Sequence, residues 1–379
     1  MTPPTESQSP GVGADRAGVR RDTTGELREP GGVRRDATGE LREPGGAPGD
    51  RAAGRRARVV AFGGGHGLSV SLRALRRCVP ELDLDITAVV TVGDDGGSSG
   101  RLRARRGGLP PGDLRQALVA LAGDHPATRR TAGLFQHRFA DTPGDPADTD
   151  DGLAGHAVGN LVLCGLIELL GDPVVALEHA GAMLGAVGRV LPMSRQPVGI
   201  EARVRGADPV YPDEVRTVRG QHQVAVTVGR VESLRLTPTS PAACAEAVAA
   251  TAEADWLIFG PGSWYTSVLP HLLVPGLAAA IVASPARRLV TLNLAAEKET
   301  LGLSLADHLA TLRHYLPELT VDLVLADSKA VGDPAPVERA AESLGARLVL
   351  APVAVVDGEP RHDPAALGAA LVPVLGADR

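Results

Sequence analysis

A chain of 379 residues, 44% hydrophobic, carries enough apolar material for one large domain or two modest ones. A formal net charge of −6 and an aromatic content of 2% argue against a broad nucleic-acid footprint and against base-stacking platforms. Cys78, Cys164 and Cys244 stand far apart without paired metal-ligand spacing. They read as small core hydrophobes in a reducing compartment, not as a disulfide framework.

Residues 1–56 are rich in Pro, Gly and charge and contain a 14-residue direct repeat, in which Val19–Gly32 recurs as Val33–Gly46 with Ala37 in place of Thr23. Two polar copies cannot build a solenoid, so a disordered tail is expected, with a docking or phosphorylatable arm through Thr23, Thr24 or Thr38 as the functional alternative. The first thirty residues hold no apolar run of signal-peptide type. From Arg58 onward, β-branched runs predict strands at 58–62, 86–92, 255–260, 288–293, 321–326 and 347–351, with helical patterns between most of them. That alternation predicts a parallel sheet covered on both faces, a Rossmann-like three-layer α/β fold over residues 57–379. Residues 196–236 depart from it: the short alternating runs Gly199–Val204 and Val224–Val228 predict a small antiparallel β insertion. Residues 141–155, rich in Asp, Gly and Pro, read as a long surface loop. The uncharged stretch Tyr265–Ala286 is interrupted by Pro270, Pro275, Gly276 and Pro285, which predicts no membrane span and a cytoplasmic protein.

Ligand chemistry is expected at the ends of the strands. The first run stops in Gly63, Gly64 and Gly65 before a helix that repeats Leu68, Leu72 and Leu75. Glycines there let backbone N–H groups approach an anion, and the helix N-terminus adds positive partial charge. Leu68 stands where a dinucleotide fingerprint needs its third glycine, so the triplet alone is weak. The second run ends in Asp94 and Asp95, placed to bond ribose or metal. Asp113 reads as a helix cap reciprocated by Gln116, with Arg115 as a phosphate ligand in the sharper reading. Asn160 is either a cap or a reader of base or sugar, and His156 either a hydrogen-bonded loop residue or part of the site. After the 255–260 run, Gly260, Gly262 and Ser263 form a second strand, glycine turn and helix start, with Ser263 as cap or the turn as anion holder. Asn293, Glu299 and Thr300 form a further polar turn. No nucleophile with an evident partner base stands out.

These segments, in order, resemble the YvcK family of gluconeogenesis factors, the CofD-like proteins. The resemblance runs over about residues 57–330 and rests on Phe62–Ser69, Val92–Leu102, Pro110–Arg115, Gly155–Asn160 and Gly260–Ser267. It implies a Rossmann-like fold and a regulator that binds a uridine-diphosphate sugar such as UDP-N-acetylglucosamine, acting in carbon use, cell shape and wall synthesis without established catalysis. The ligand-binding set it implies is Gly63, Gly64, Gly65, His66, Gly67, Asp94, Asp95, Ser98, Ser99, Arg101, Asp113, Arg115, His156, Asn160, Gly260, Gly262, Ser263, Tyr265 and Thr266. No cofactor is required under that reading. The related branch, 2-phospho-L-lactate transferase, is the enzyme alternative: a GDP-linked donor, with Mg2+ held by Asp94 and Asp95. Neither membrane nor nucleic acid is an expected partner, and homo-oligomer formation is left open.

Overall fold

The strand-forming runs pair into one large sheet. In the computed structural model, which describes residues 56–140, 152–208 and 210–377, the strands are β1 (Ala57–Gly63), β2 (Leu84–Val90), β3 (Gly188–Pro192), β4 (Gly199–Arg205), β5 (Val215–Arg219), β6 (Arg230–Thr237), β7 (Trp256–Phe259), β8 (Arg287–Thr291), β9 (Leu323–Asp327) and β10 (Arg347–Ala351). The helices are α1 (Gly65–Leu82), α2 (Gly97–Arg106), α3 (Pro111–Ala120), α4 (Pro126–Gln136), α5 (Val158–Leu170), α6 (Pro173–Leu184), α7 (Gln221–Val226), α8 (Ala245–Glu253), α9 (Pro275–Ala283), α10 (Leu305–Tyr315), α11 (Ala335–Ser343) and α12 (Pro364–Gly376).

The large sheet has the order β10-β9-β8-β7-β1-β2-β3, and every pairing in it is parallel. The chain moves outward from β1 through β2 and β3, then restarts at β7 on the other side of β1. β1 and β7 therefore flank the point where the strand order reverses, which is where open α/β sheets leave a crevice beyond their carboxyl ends. Phe62 and Phe259 are paired in register across these strands and stack with centroids 4.9 Å apart, each one residue before its glycine turn. All of β9 and nearly all of β1 are buried on alternate faces, as a sheet covered on both sides requires. Leu68, Leu72 and Leu75 form the buried stripe of α1, and α12 lies against that helix, where a Cβ on Gly368 would come 3.1 Å from the Ala74 carbonyl oxygen.

Two expectations need correction. A seventh strand, β3, was not visible because its sequence, Gly-Arg-Val-Leu-Pro, is short and bounded by residues that disfavour strands; pairing with β2 from Ile86↔Gly188 to Val90↔Pro192 supplies what propensity lacks. The insertion is a three-stranded antiparallel sheet in the order β5-β4-β6, but Val224–Val228 is not one of its strands. Residues 221–226 are helical instead, with the His222 N–H donated to Asp95 Oδ1 at 2.9 Å and only Val224 of the three valines buried. A tertiary cap thus overrides β-branched propensity. The tail and its repeat, and residues 141–151 of the expected loop, lie outside the described residues; the described residues belong to one compact unit. Among the described residues no single helix is long and apolar enough to cross a membrane, and the Trp264–Leu273 and Pro275–Ala283 pair is bent by 80°.

Candidate functional site

Two strand-to-helix turns meet at the reversal point. After β7, Gly260 (φ 73°) and Gly262 (φ 149°) adopt backbone that favours glycine, as does Gly65 (φ 54°) after β1. Gly64 is different: its backbone is extended, and space is what excludes a side chain, since a Cβ would run into Thr91 Oγ1 and lie 2.6 Å from Asp113 Oδ2. A Cβ on Gly67 would collide with the Pro261 carbonyl and Gly262 Cα, so the first turn of α1 touches the second glycine turn. Together they line a cleft of about 980 Å³. α1 begins there with no side-chain cap from Gly64; its first N–H, that of Gly65, is donated to the Asp113 carboxylate, and the N–H groups of His66 and Gly67 that follow face water or a ligand.

Opposite the glycines stand Asp113 and Arg115, both buried and both lining the cleft. The capping-box expectation for Asp113 does not hold: α3 starts at Pro111, with Pro110 as cap, because proline is preorganised for the first helical position. Asp113 instead accepts from Thr91 Oγ1 at 3.3 Å and from the Gly65 backbone. Burial first, and the charge of Asp94 second, push its carboxyl up to about 7. Burial lowers the Arg115 guanidinium to about 10. Its Nε–H is donated to Asn160 Oδ1 at 2.8 Å and an Nη1 hydrogen to Gln136 Oε1; Nη2 has no protein partner among the described residues.

The remaining expected site residues divide. His66, Ser263 and Thr266 line the cleft with Gly64, Gly65, Gly67 and Gly262. Gly63, Gly260 and the buried Tyr265 stand behind it, and the Tyr265 N–H is donated to Glu299 Oε1 at 2.8 Å. Ser98, Arg101, His156 and Asn160 form a hydrogen-bonded group behind Arg115 and do not line the cleft; Ser99 packs under Gly112. Asn160 is not the cap of α5, which is Ala157. Asp94 and Asp95 turn to separate partners: Asp94 Oδ1 accepts the Gly96 N–H at 2.9 Å, whereas Asp95 reaches His222 in the insertion. The pair therefore does not converge on one point, and among the described residues no group of three or more His, Cys, Asp or Glu could hold a metal ion.

Residues distant in sequence complete the walls. Asn293 holds the second glycine turn, and Glu297 Oε2 accepts from Ser263 Oγ at 2.6 Å. Arg73, Gln136, Arg138, Gln221, Arg361 and His362 also line the cleft. His362 is held uncharged at neutral pH, its ring pushed down to about 4 by burial. Arg361 and His362 precede α12, whose cap is Asp363 with Pro364 at the first helical position. That Asp-Pro start was the one readable signal, and it marks a helix without saying which cleft the helix faces.

Comparison with known proteins is consistent with this architecture. Residues 59–349 match the family described as 2-phospho-L-lactate transferase CofD. A Mycobacterium tuberculosis relative is 48% identical over 327 residues, 84% of this chain and 91% of the relative. The gluconeogenesis factor of Bacillus subtilis is 36% identical over 281 residues, 74% of this chain and 81% of the relative. A crystal structure of a UPF0052-family protein from Bacillus halodurans superposes with a TM-score of 0.71 at 33% identity, covering 84% of this chain and 99% of the other.

Proposed function

Because the chain belongs to the CofD family and is related to the bacterial gluconeogenesis factors, we propose that its cleft binds a nucleotide-linked sugar of the UDP-N-acetylglucosamine kind and that the protein acts as a regulator of carbon use, cell shape and wall synthesis. The observation that carries the reading is the start of α1, which Gly64 leaves without a side-chain cap and which packs on the second glycine turn and lines the same cleft as the buried Arg115. A diphosphate seated there would take N–H groups and helix dipole from one side and a planar cation from the other. The cation already bears the cost of burial, so an anion beside it recovers interaction energy that water would otherwise supply. A cleft of about 980 Å³ leaves room for base and sugar beyond the diphosphate.

Thermal-shift and calorimetric titration with UDP-N-acetylglucosamine, UDP-glucose, GDP and NAD tests this. The expected result is stabilisation by a UDP-sugar, on the scale of about 2.7 kcal/mol at a hundred times its dissociation constant. Stabilisation by NAD alone would sink it.

The family description, 2-phospho-L-lactate transferase, favours a second reading, transfer of a phospholactyl group, for which the donor would be GDP-linked. Asp94 and Asp95 turn to separate partners and do not share a grip that would hold magnesium between them.

A further inference from the structure

Arginine donates and never accepts, and an arginine stands at each end of the chain of hydrogen bonds behind the cleft. At the inner end Arg115 Nε–H donates to Asn160 Oδ1, which fixes the amide so that Nδ2 must face Ser98 Oγ, as it does at 2.9 Å. At the outer end Arg101 Nε–H donates to His156 Nε2 at 3.3 Å, so that nitrogen carries no proton. The neutral ring therefore bears its proton on Nδ1, 2.9 Å from the same Ser98 oxygen. Ser98 Oγ thus accepts from both sides. This tautomer leaves His156 no free nitrogen to act as a base toward Ser98, so the pair is not a nucleophile and its activator.

We propose that Ser98, His156 and Asn160 are positioning residues: they lock the plane of the Arg115 guanidinium so that its Nη2 edge faces the ligand's diphosphate. The inference rests on the reading that Arg115 grips that diphosphate. Ser98, His156 and Asn160 are all buried, and removing the one shared acceptor leaves two enclosed donors unpaired. The amide then loses its reason to present oxygen to Arg115.

UDP-N-acetylglucosamine is titrated calorimetrically into wild type, Ser98→Ala, Ser98→Thr, Arg115→Met and the Ser98→Ala/Arg115→Met double variant. Ser98→Ala should bind roughly tenfold more weakly, Ser98→Thr like wild type, and the double variant no worse than Arg115→Met. Equal losses added in the double variant would overturn the relay. His156→Asn, whose amide nitrogen takes the Nδ1 position, should retain affinity where His156→Leu loses it; identical behaviour of the two would also count against the proposal. If wild type binds neither UDP-sugar nor GDP, the functional reading fails by itself. The relay is then decided by the Arg115 Nε–H resonance in proton–nitrogen NMR spectra, which should shift and exchange faster in Ser98→Ala; an unmoved resonance would end the proposal.

Discussion

Asn293 grips Gly262 with both ends of its amide: the Gly262 N–H is donated to Asn293 Oδ1 at 2.9 Å, and Asn293 Nδ2 donates to the Gly262 carbonyl at 2.9 Å. A side chain from the end of β8 thereby completes, for one residue of the β7 turn, the pairing a further strand residue would have made. Asn293→Ala should lose about 1–3 kcal/mol of stability, since a buried donor and acceptor are left unpaired, and should weaken UDP-sugar binding as the turn loosens. Asn293→Asp keeps the acceptor but sets an oxygen against the Gly262 carbonyl, and its melting temperature should fall at least as far. Wild-type melting for both variants would remove Asn293 from the cradle.

Substitution of the glycines separates space from backbone conformation. Gly64→Val should reduce diphosphate affinity roughly tenfold or more through collision with Thr91 and Asp113, without backbone strain, because residue 64 is extended. Gly262→Val should act by the other route: a Cβ there would lie at ordinary contact distance, 3.7 Å from Gly67 Cα, and it is the φ of 149° that disfavours a side chain. Isothermal titration with a UDP-sugar gives the answer, and unchanged affinity in both variants would dissolve the cradle.

The buried carboxyls make a pH prediction. Asp113 and Glu299 are each raised to about 7, chiefly by burial, from ordinary values of 3.8 and 4.5. The folded chain holds these protons more tightly than the unfolded one. Their contribution to stability is therefore complete below the ordinary values and is lost as pH rises towards about 7. Asp113→Asn should flatten the fall in urea midpoint across that window relative to wild type. Parallel profiles for the two proteins would show that Asp113 does not titrate there.

Removal of residues 1–55 should leave melting temperature and ligand affinity nearly unchanged, because their composition offers no periodic apolar face and the exposed Arg56–Asp83 pair at 3.0 Å is retained. A large loss in either measurement would show that the repeats pack on the body.

Regulator and transferase part over magnesium. For a regulator, chelation should barely alter UDP-sugar affinity, and no nucleotide product should accumulate. For a transferase, magnesium-dependent GMP release from a phospholactyl-guanosine donor with a deazaflavin acceptor should appear and vanish in Asp94→Asn. Chromatography of the nucleotide pool distinguishes them.

The strand ends were legible because a β-branched run followed by glycine has few other meanings, and Leu68, Leu72 and Leu75 sit buried as their spacing predicts. The order of the strands was not, since β-branched runs do not name their neighbours. For His156 and Asn160 the sequence leaves a loop or cap role and a ligand contact both open, because polar residues between glycines look alike whether they touch a ligand or hold the residue that does; the structure adds their bonds to Ser98 and Arg115. Arg361 and His362 escaped because what brings them to the cleft is the packing of α12 on α1, residues distant in the chain.

The adjacency of β1 and β7 also has a consequence for how the chain matures. The two glycine turns are separated by nearly two hundred residues of sequence, so closing them together is a late, non-local event that must offset a large loss of chain entropy. Synthesis of the β1–β3 half alone provides half a cradle. A ligand spanning both turns recognises only the finished sheet, and its binding free energy then favours the folded chain over any partly assembled form. Ligand level would in that way govern how much of the newly made protein persists, as well as what the mature protein does.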